Sequence, residues 1–164
     1  MSKSIKFKNL YFDSTGVTHK KHVLKHILNN YAFASYNTTF DFLGGTHKYI
    51  PFNSSKIDSD NLTLNGGKII IGKNVNTVKV SYDVRMDWDA PLDTTYYFML
   101  NKGGDFWETH HAIYKNYYTQ QDTSVASFVM NVTEGNEIGL KAWFNGSGTK
   151  SAVIFVSIYI EVLD

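Results

Sequence analysis

The chain contains no cysteine, only 2 prolines and almost no net charge, +1 over 164 residues. Each shortage excludes something. Without thiols there are no disulfides and no thiolate metal sites, so packing alone must hold the fold. A chain of this length can bury enough surface to do that, as one compact domain plus a short extension. With 16 Lys and Arg against 15 Asp and Glu there is no basic excess for counterion release. A general nucleic-acid-binding surface is therefore not expected. No apolar run approaches the ~20 residues of a spanning helix, and the opening MSKSIKFKN lacks the apolar core of an export signal. No membrane partner is expected. Also missing are a nucleophile elbow, a P-loop and a dinucleotide fingerprint, so the chain reads as non-enzymatic.

Aromatic residues, by contrast, are plentiful: 11 Tyr, 11 Phe and 3 Trp make up 15% of the chain. Together with Val, Ile and Thr they favour half-buried pleated surfaces, so the composition leans to β. N-x-S/T sequons occur at Asn37, Asn53, Asn61, Asn131 and Asn145. In a chain rich in Asn and Thr, with no export signal, they read as chance.

The first 36 residues differ from the rest. SIKFKNLYF alternates apolar and polar positions, DSTG is a turn, and THKKHVLKHILNNY offers Thr18 as an N-cap. A helical stripe of Val23, Leu24, Ile27, Leu28 and Tyr31 follows, too short to be stable alone. Residues 1–36 are thus expected to form a strand-turn-helix arm, and residues 37–164 a separate head.

In the head, HKYIPF (47–52), NLTL, KIIIG (68–72), NTVKVSYDVRMDW (76–88) and TTYYFMLNKGG (94–104) read as strands. So do TSVASFVMNV (123–132), EIGLKAWF (137–144) and SAVIFVSIYIEVLD (151–164). The segment 108–118, ETHHAIYKNYY, is aromatic but only loosely alternating. Val78, Val80, Tyr82, Val84 and Met86 share one face, and Ile154, Val156, Ile158, Ile160 and Val162 form a wholly apolar set aimed at the core. A last strand that runs to the terminus is expected at the centre of a sheet, since free ends fray. About eight strands separated by polar turns predict an all-β antiparallel sandwich.

The strand order YIPFN, LTLNGGKIIIG, VKVSYDVRM, TYYFMLNKGG, SVASFVMNVTEGNEIGLKAWFNGSG and AVIFVSIYIEVL resembles the jelly roll of the tumour-necrosis-factor and complement-globular-head type. It is most similar to the versions at the C-termini of tail-tip and baseplate proteins of phages that infect Gram-positive bacteria. Their pattern V-x-x-G-D/N-x-I-x-L is matched by Val132, Gly135, Asn136, Ile138 and Leu140. The N-terminal IKFKNLYFDSTGVTHKKHVLKHIL is similar to the segment that precedes such heads. The resemblance implies a homotrimer in a virion assembled in the host cytoplasm, with the arm on other virion proteins. It further implies recognition of a host-surface saccharide, or a purely structural role in the particle. A cellular lectin- or cytokine-like ligand is the remaining alternative. A trimer lined by one sheet face needs apolar side chains that a monomer would leave wet, and Tyr82, Tyr97, Phe155 and Tyr159 are the candidates.

Saccharide binding would use exposed rings for stacking and polar side chains for hydroxyls. The richest stretch is DFWETHHAIYKNYY (105–118), with Trp107, Glu108, His110, Tyr114, Asn116 and Tyr117; Trp88 is a second candidate. The same rings could equally be core or interface packing. No metal or other cofactor is expected. Glu108 and His110 lack a third ligand, His22 and His26 have no intervening HExxH glutamate, and Asp83, Asp87, Asp89 and Asp93 do not form a DxDxDG loop.

Overall fold

The computed structural model describes residues 30–87, 90–103, 105–115 and 122–163, and for residues 105–111, 122 and 123 the backbone alone. The expected arm helix lies outside the described residues. Tyr31–Asp164 forms one unit by its internal contacts. Among the described residues it consists of strands joined by turns: β1 (Tyr31–Leu43), β2 (Lys48–Tyr49), β3 (Ser54–Asp58), β4 (Leu62–Asn65), β5 (Lys68–Ile71) and β6 (Thr77–Met86), then β7 (Thr94–Lys102), β8 (Asp105–Lys115), β9 (Asp122–Asn131), β10 (Glu137–Phe144) and β11 (Thr149–Val162). They pair antiparallel into a five-stranded sheet, β3-β1-β11-β6-β9, and a six-stranded sheet, β4-β5-β10-β7-β8 with β2 also on β10.

Period-two patterning builds the core between the sheets. Val78, Val80, Tyr82, Val84 and Met86 of β6 face Ile138, Leu140, Ala142 and Phe144 of β10 across it, and all are buried. Ile154, Val156, Ile158 and Ile160 of β11 are buried as expected. β11 lies at the centre of the five-stranded sheet, paired along its length with β1 on one side and β6 on the other.

Three features depart from the expected layout. β1 begins at Tyr31, so residues 31–36 belong to the head's sheet, and Tyr31 is a strand residue rather than the end of a helical stripe. β3, the polar SSKID, carries too little hydrophobic alternation to be read from sequence, and it is formed by pairing with β1. The ambiguous 108–118 stretch is largely strand, since β8 extends to Lys115 against β7.

The β4–β5 connection is a two-residue hairpin in which Gly66 and Gly67 have φ of 56° and 77°. Both signs match the type I′ turn that suits the strand twist. A Cβ on Gly67 would also come within 2.6 Å of the Ile50 carbonyl oxygen. Gly67→Ala should therefore cost about 1–3 kcal/mol, read as a lowered urea midpoint. An unchanged midpoint would show that the loop relaxes around the methyl group.

The turn between β9 and β10 is tied in a similar way. Asn136 Oδ1 accepts from the Thr133 N–H at 3.0 Å. Gly135, at φ 83°, donates its N–H to the Ile71 carbonyl at 2.8 Å. The turn thus locks the hairpin onto β5 and has a structural part to play.

Candidate functional site

The outward face of the five-stranded sheet runs against ordinary patterning. In β1 the small Ala32 and Ala34 point into the core, while the bulky Tyr31 and Phe33 point out. β11 adds Phe155 and Tyr159 to that outward side, and β9 adds Val125 and Val129, which are 67% and 61% exposed. Tyr31 and Tyr159 stack with ring centroids 5.6 Å apart. The Arg85 guanidinium lies 4.1 Å from the centre of the Phe155 ring, and its buried Nε makes no hydrogen bond among the described residues. Polar groups are interspersed, as in the Ser81–Ser127 hydroxyl pair at 2.9 Å. Covering such a face with another apolar surface would gain roughly 1.5–3 kcal/mol for each large side chain buried.

Of the four side chains expected to line a trimer axis, Phe155 and Tyr159 lie on this face. The other two do not. Tyr82 is 2% exposed and points into the sandwich. It keeps step with Val80 and Val84, so the alternation that buries them buries it too. Tyr97 lies on the outer face of the opposite sheet, where β7 pairs with β10.

Burial pushes the Tyr82 phenol well above its usual range. The folded chain therefore keeps a proton that the unfolded chain releases near about pH 10. Stability is complete below that pH and falls as pH rises past it, because the unfolded state then binds fewer protons than the folded one. Tyr82→Phe should flatten part of this alkaline loss. Urea midpoints for both proteins from about pH 8 to pH 11 test it, and identical slopes would refute it.

The expected saccharide residues are divided. Trp107, Glu108 and His110 lie in β8, but their side chains are outside the described residues, as are Trp88, Asn116 and Tyr117 altogether. Tyr114 is 55% exposed, and its hydroxyl donates to Asp93 Oδ1 at 3.4 Å. His110 and His111 are consecutive residues of one strand. Among the described residues no three His, Asp or Glu side chains converge as a metal site.

A second aromatic feature was not singled out from sequence. On the outer face of the six-stranded sheet Trp143 of β10 pairs with Tyr97 of β7, their rings 5.2 Å apart and 12° from parallel. His47, just before β2, also packs against Trp143, with ring centroids 4.2 Å apart and the planes tilted by 49°. Beside this row Tyr49 lies flat over Gly139, where a Cβ would meet its ring carbons at 3.2 Å. Its hydroxyl donates to the buried Asn101, and Lys68 and Lys141 hold their ammonium groups 5.1 and 4.6 Å from its ring centre. Lys68 also pairs with Glu137. Burial is the largest of the influences that raise the Tyr49 phenol. The sequence carries one weak signal for this row: Tyr97 and Trp143 both sit at odd, outward positions. Only the β7–β10 register sets them side by side.

No protein-family model matches the sequence, and no curated protein does. Solved structures do match it. The globular domain of zebrafish complement 1qA protein aligns with a TM-score of 0.61 at 9% identity, over 82% of this chain and 98% of that one. The PRD1 vertex protein P5 aligns at 0.57 and 8% identity, over 83% and 98%. The Eiger TNF from S. frugiperda aligns at 0.53 and 8% identity, over 82% and 94%. At such identities the likeness is one of fold. The head is an all-β, two-sheet jelly roll like those of tumour necrosis factor and complement C1q.

Proposed function

We propose that this chain is a phage virion protein whose jelly-roll heads join as a homotrimer and bind a host-surface glycan at the tail or baseplate. The observation that carries the assembly reading is the outward face of the five-stranded sheet, where Phe33, Phe155, Tyr159, Val125 and Val129 are partly or largely exposed in the single chain. Cyclic symmetry lets one chain cover that face with further copies of itself and closes the assembly without leaving a spare face. The six-stranded sheet then remains outside, free to meet a ligand. The likeness of strand order to tail-tip and baseplate heads supports a place in the virion, assembled in the host cytoplasm, with the N-terminal arm held by other virion proteins. The protein acts by binding, not by catalysis.

Antibodies raised against the full chain should label purified phage particles, and an excess of the free chain should block adsorption of the parent phage to its host. Labelling without any block of adsorption would favour the second reading, a structural virion protein with no receptor role. The fold shared with the PRD1 vertex protein P5 supports that alternative. Absence from particles would refute both.

A further inference from the structure

The outward face of the five-stranded sheet carries two charges that its own chain does not match, and we infer that Arg85 of one copy pairs with Asp83 of the next. Lys79 stands directly opposite Glu161 across β6 and β11, and Lys56 and Asp58 share one side of β3. Asp83 and Arg85 have no such counterpart. They lie two residues apart on the outward side of β6, half-buried, and neither forms an ion pair among the described residues. The register partners of Asp83 are Ser157 and Val125, and those of Arg85 are Phe155 and Thr123, all uncharged. Asp87, beyond the end of β6, is engaged within its own chain.

Arg85 is held ready for a partner. Its guanidinium lies over the Phe155 ring, 4.1 Å from the ring centre, which fixes the plane of the fork. Nε is enclosed without a hydrogen bond, whereas the two Nη groups are not enclosed and have no partner among the described residues. The end of the fork is therefore open, and that edge takes a carboxylate through two parallel N–H···O bonds.

Covering this face makes the match necessary. Val125, 67% exposed, is the direct neighbour of Asp83, so a surface that covers one covers the other. A charge enclosed there without a partner is strongly destabilising. A foreign protein would need an acid and a base of its own at the same spacing. A second copy has both. In a cyclic trimer each copy presents Arg85 to one neighbour and Asp83 to the other, so identical pairs close the ring and no charge is left over.

This pairing rests on the proposed assembly through the same face and gives it a register. Full-length parent, Asp83→Arg and Arg85→Asp are followed by light scattering over a concentration series. Each reversal should raise the concentration needed for half-assembly about a hundredfold or more, with circular dichroism like the parent's. Asp83→Asn, which keeps the size and removes the charge, should act in the same direction if a reversal disturbs the fold. An equimolar mixture of Asp83→Arg and Arg85→Asp should assemble at a lower concentration than either alone. A mixed ring regains pairs between unlike copies, whereas a pair made inside one chain gains nothing from mixing. Variants that assemble like the parent, or a mixture no better than its components, would overturn the pairing and leave the trimeric reading standing. A parent that stays monomeric throughout the series would overturn both.

Discussion

Replacing Phe155 by lysine should convert the proposed trimer into monomers while leaving each head folded. The Phe155 ring sits beneath the Arg85 guanidinium on the outward face of the five-stranded sheet. A lysine there removes the ring and sets two like charges together at the centre of a surface that association would dry. Burying an unpaired charge costs several kcal/mol, more than the few contacts around one residue can offset. The free head has less at stake. Phe155 points away from the core, and its β11 neighbours Ile154 and Val156 remain buried between the sheets. Light scattering at micromolar concentration should give the mass of three chains for the parent and of one for Phe155→Lys, with matching circular dichroism. A parent protein that is already monomeric would sink the trimeric reading. A variant that stays trimeric would place the interface elsewhere.

Phe42→Ala should instead damage the fold. Phe42 is fully buried, with its ring edge-on to Phe40 at 4.9 Å, to Tyr96 at 4.8 Å and to Phe98 at 5.9 Å. It joins the first strand of one sheet to β7 of the other, so its loss opens a cavity where the two layers meet. Truncations of this kind cost about 3–5 kcal/mol, a large share of the roughly 5–15 kcal/mol that holds a domain together. The urea midpoint should fall sharply at fixed chain concentration, which matters because the proposed assembly would stabilise the folded state by mass action. A loss below about 1 kcal/mol would mean that the surrounding rings collapse into the space.

Both expectations depend on knowing which side of a strand faces inward, and strands differ in how openly they declare it. In β11 one alternate set is wholly apolar and the other includes Ser157 and Glu161, so the sequence alone identifies the core side. In β10 Ile138, Leu140, Ala142 and Phe144 do the same. β7 gives no such signal. Tyr96 and Tyr97 are adjacent and chemically identical, yet one is fully buried and the other partly exposed. The start of β1 is misleading, because Tyr31 and Phe33 lie outside and Ala32 and Ala34 inside, although Tyr36, Phe40 and Phe42 farther along are buried. A reading based on side-chain bulk turns that strand over, or passes it by. Tyr82 shows the opposite fault: its place among the buried valines was legible, and its aromatic character suggested an interface all the same.

The sequence by itself determined the class of fold. With no cysteine, no helical period after Phe40 and a two-residue alternation repeated along most of the head, an antiparallel sandwich was the way to bury those side chains. Alternation is a local property, set by the pleat of each strand, and it survives in a string of letters. The tertiary structure alone decided which strands are neighbours and in what register. It thereby set Trp143 against both Tyr97 and His47, drew the polar SSKID into a sheet, and left Phe33, Phe155 and Tyr159 on one outward face. Those juxtapositions join residues more than about a hundred positions apart, as in the Phe33–Tyr159 pair, and they arise from backbone pairing and layer packing that no local window contains.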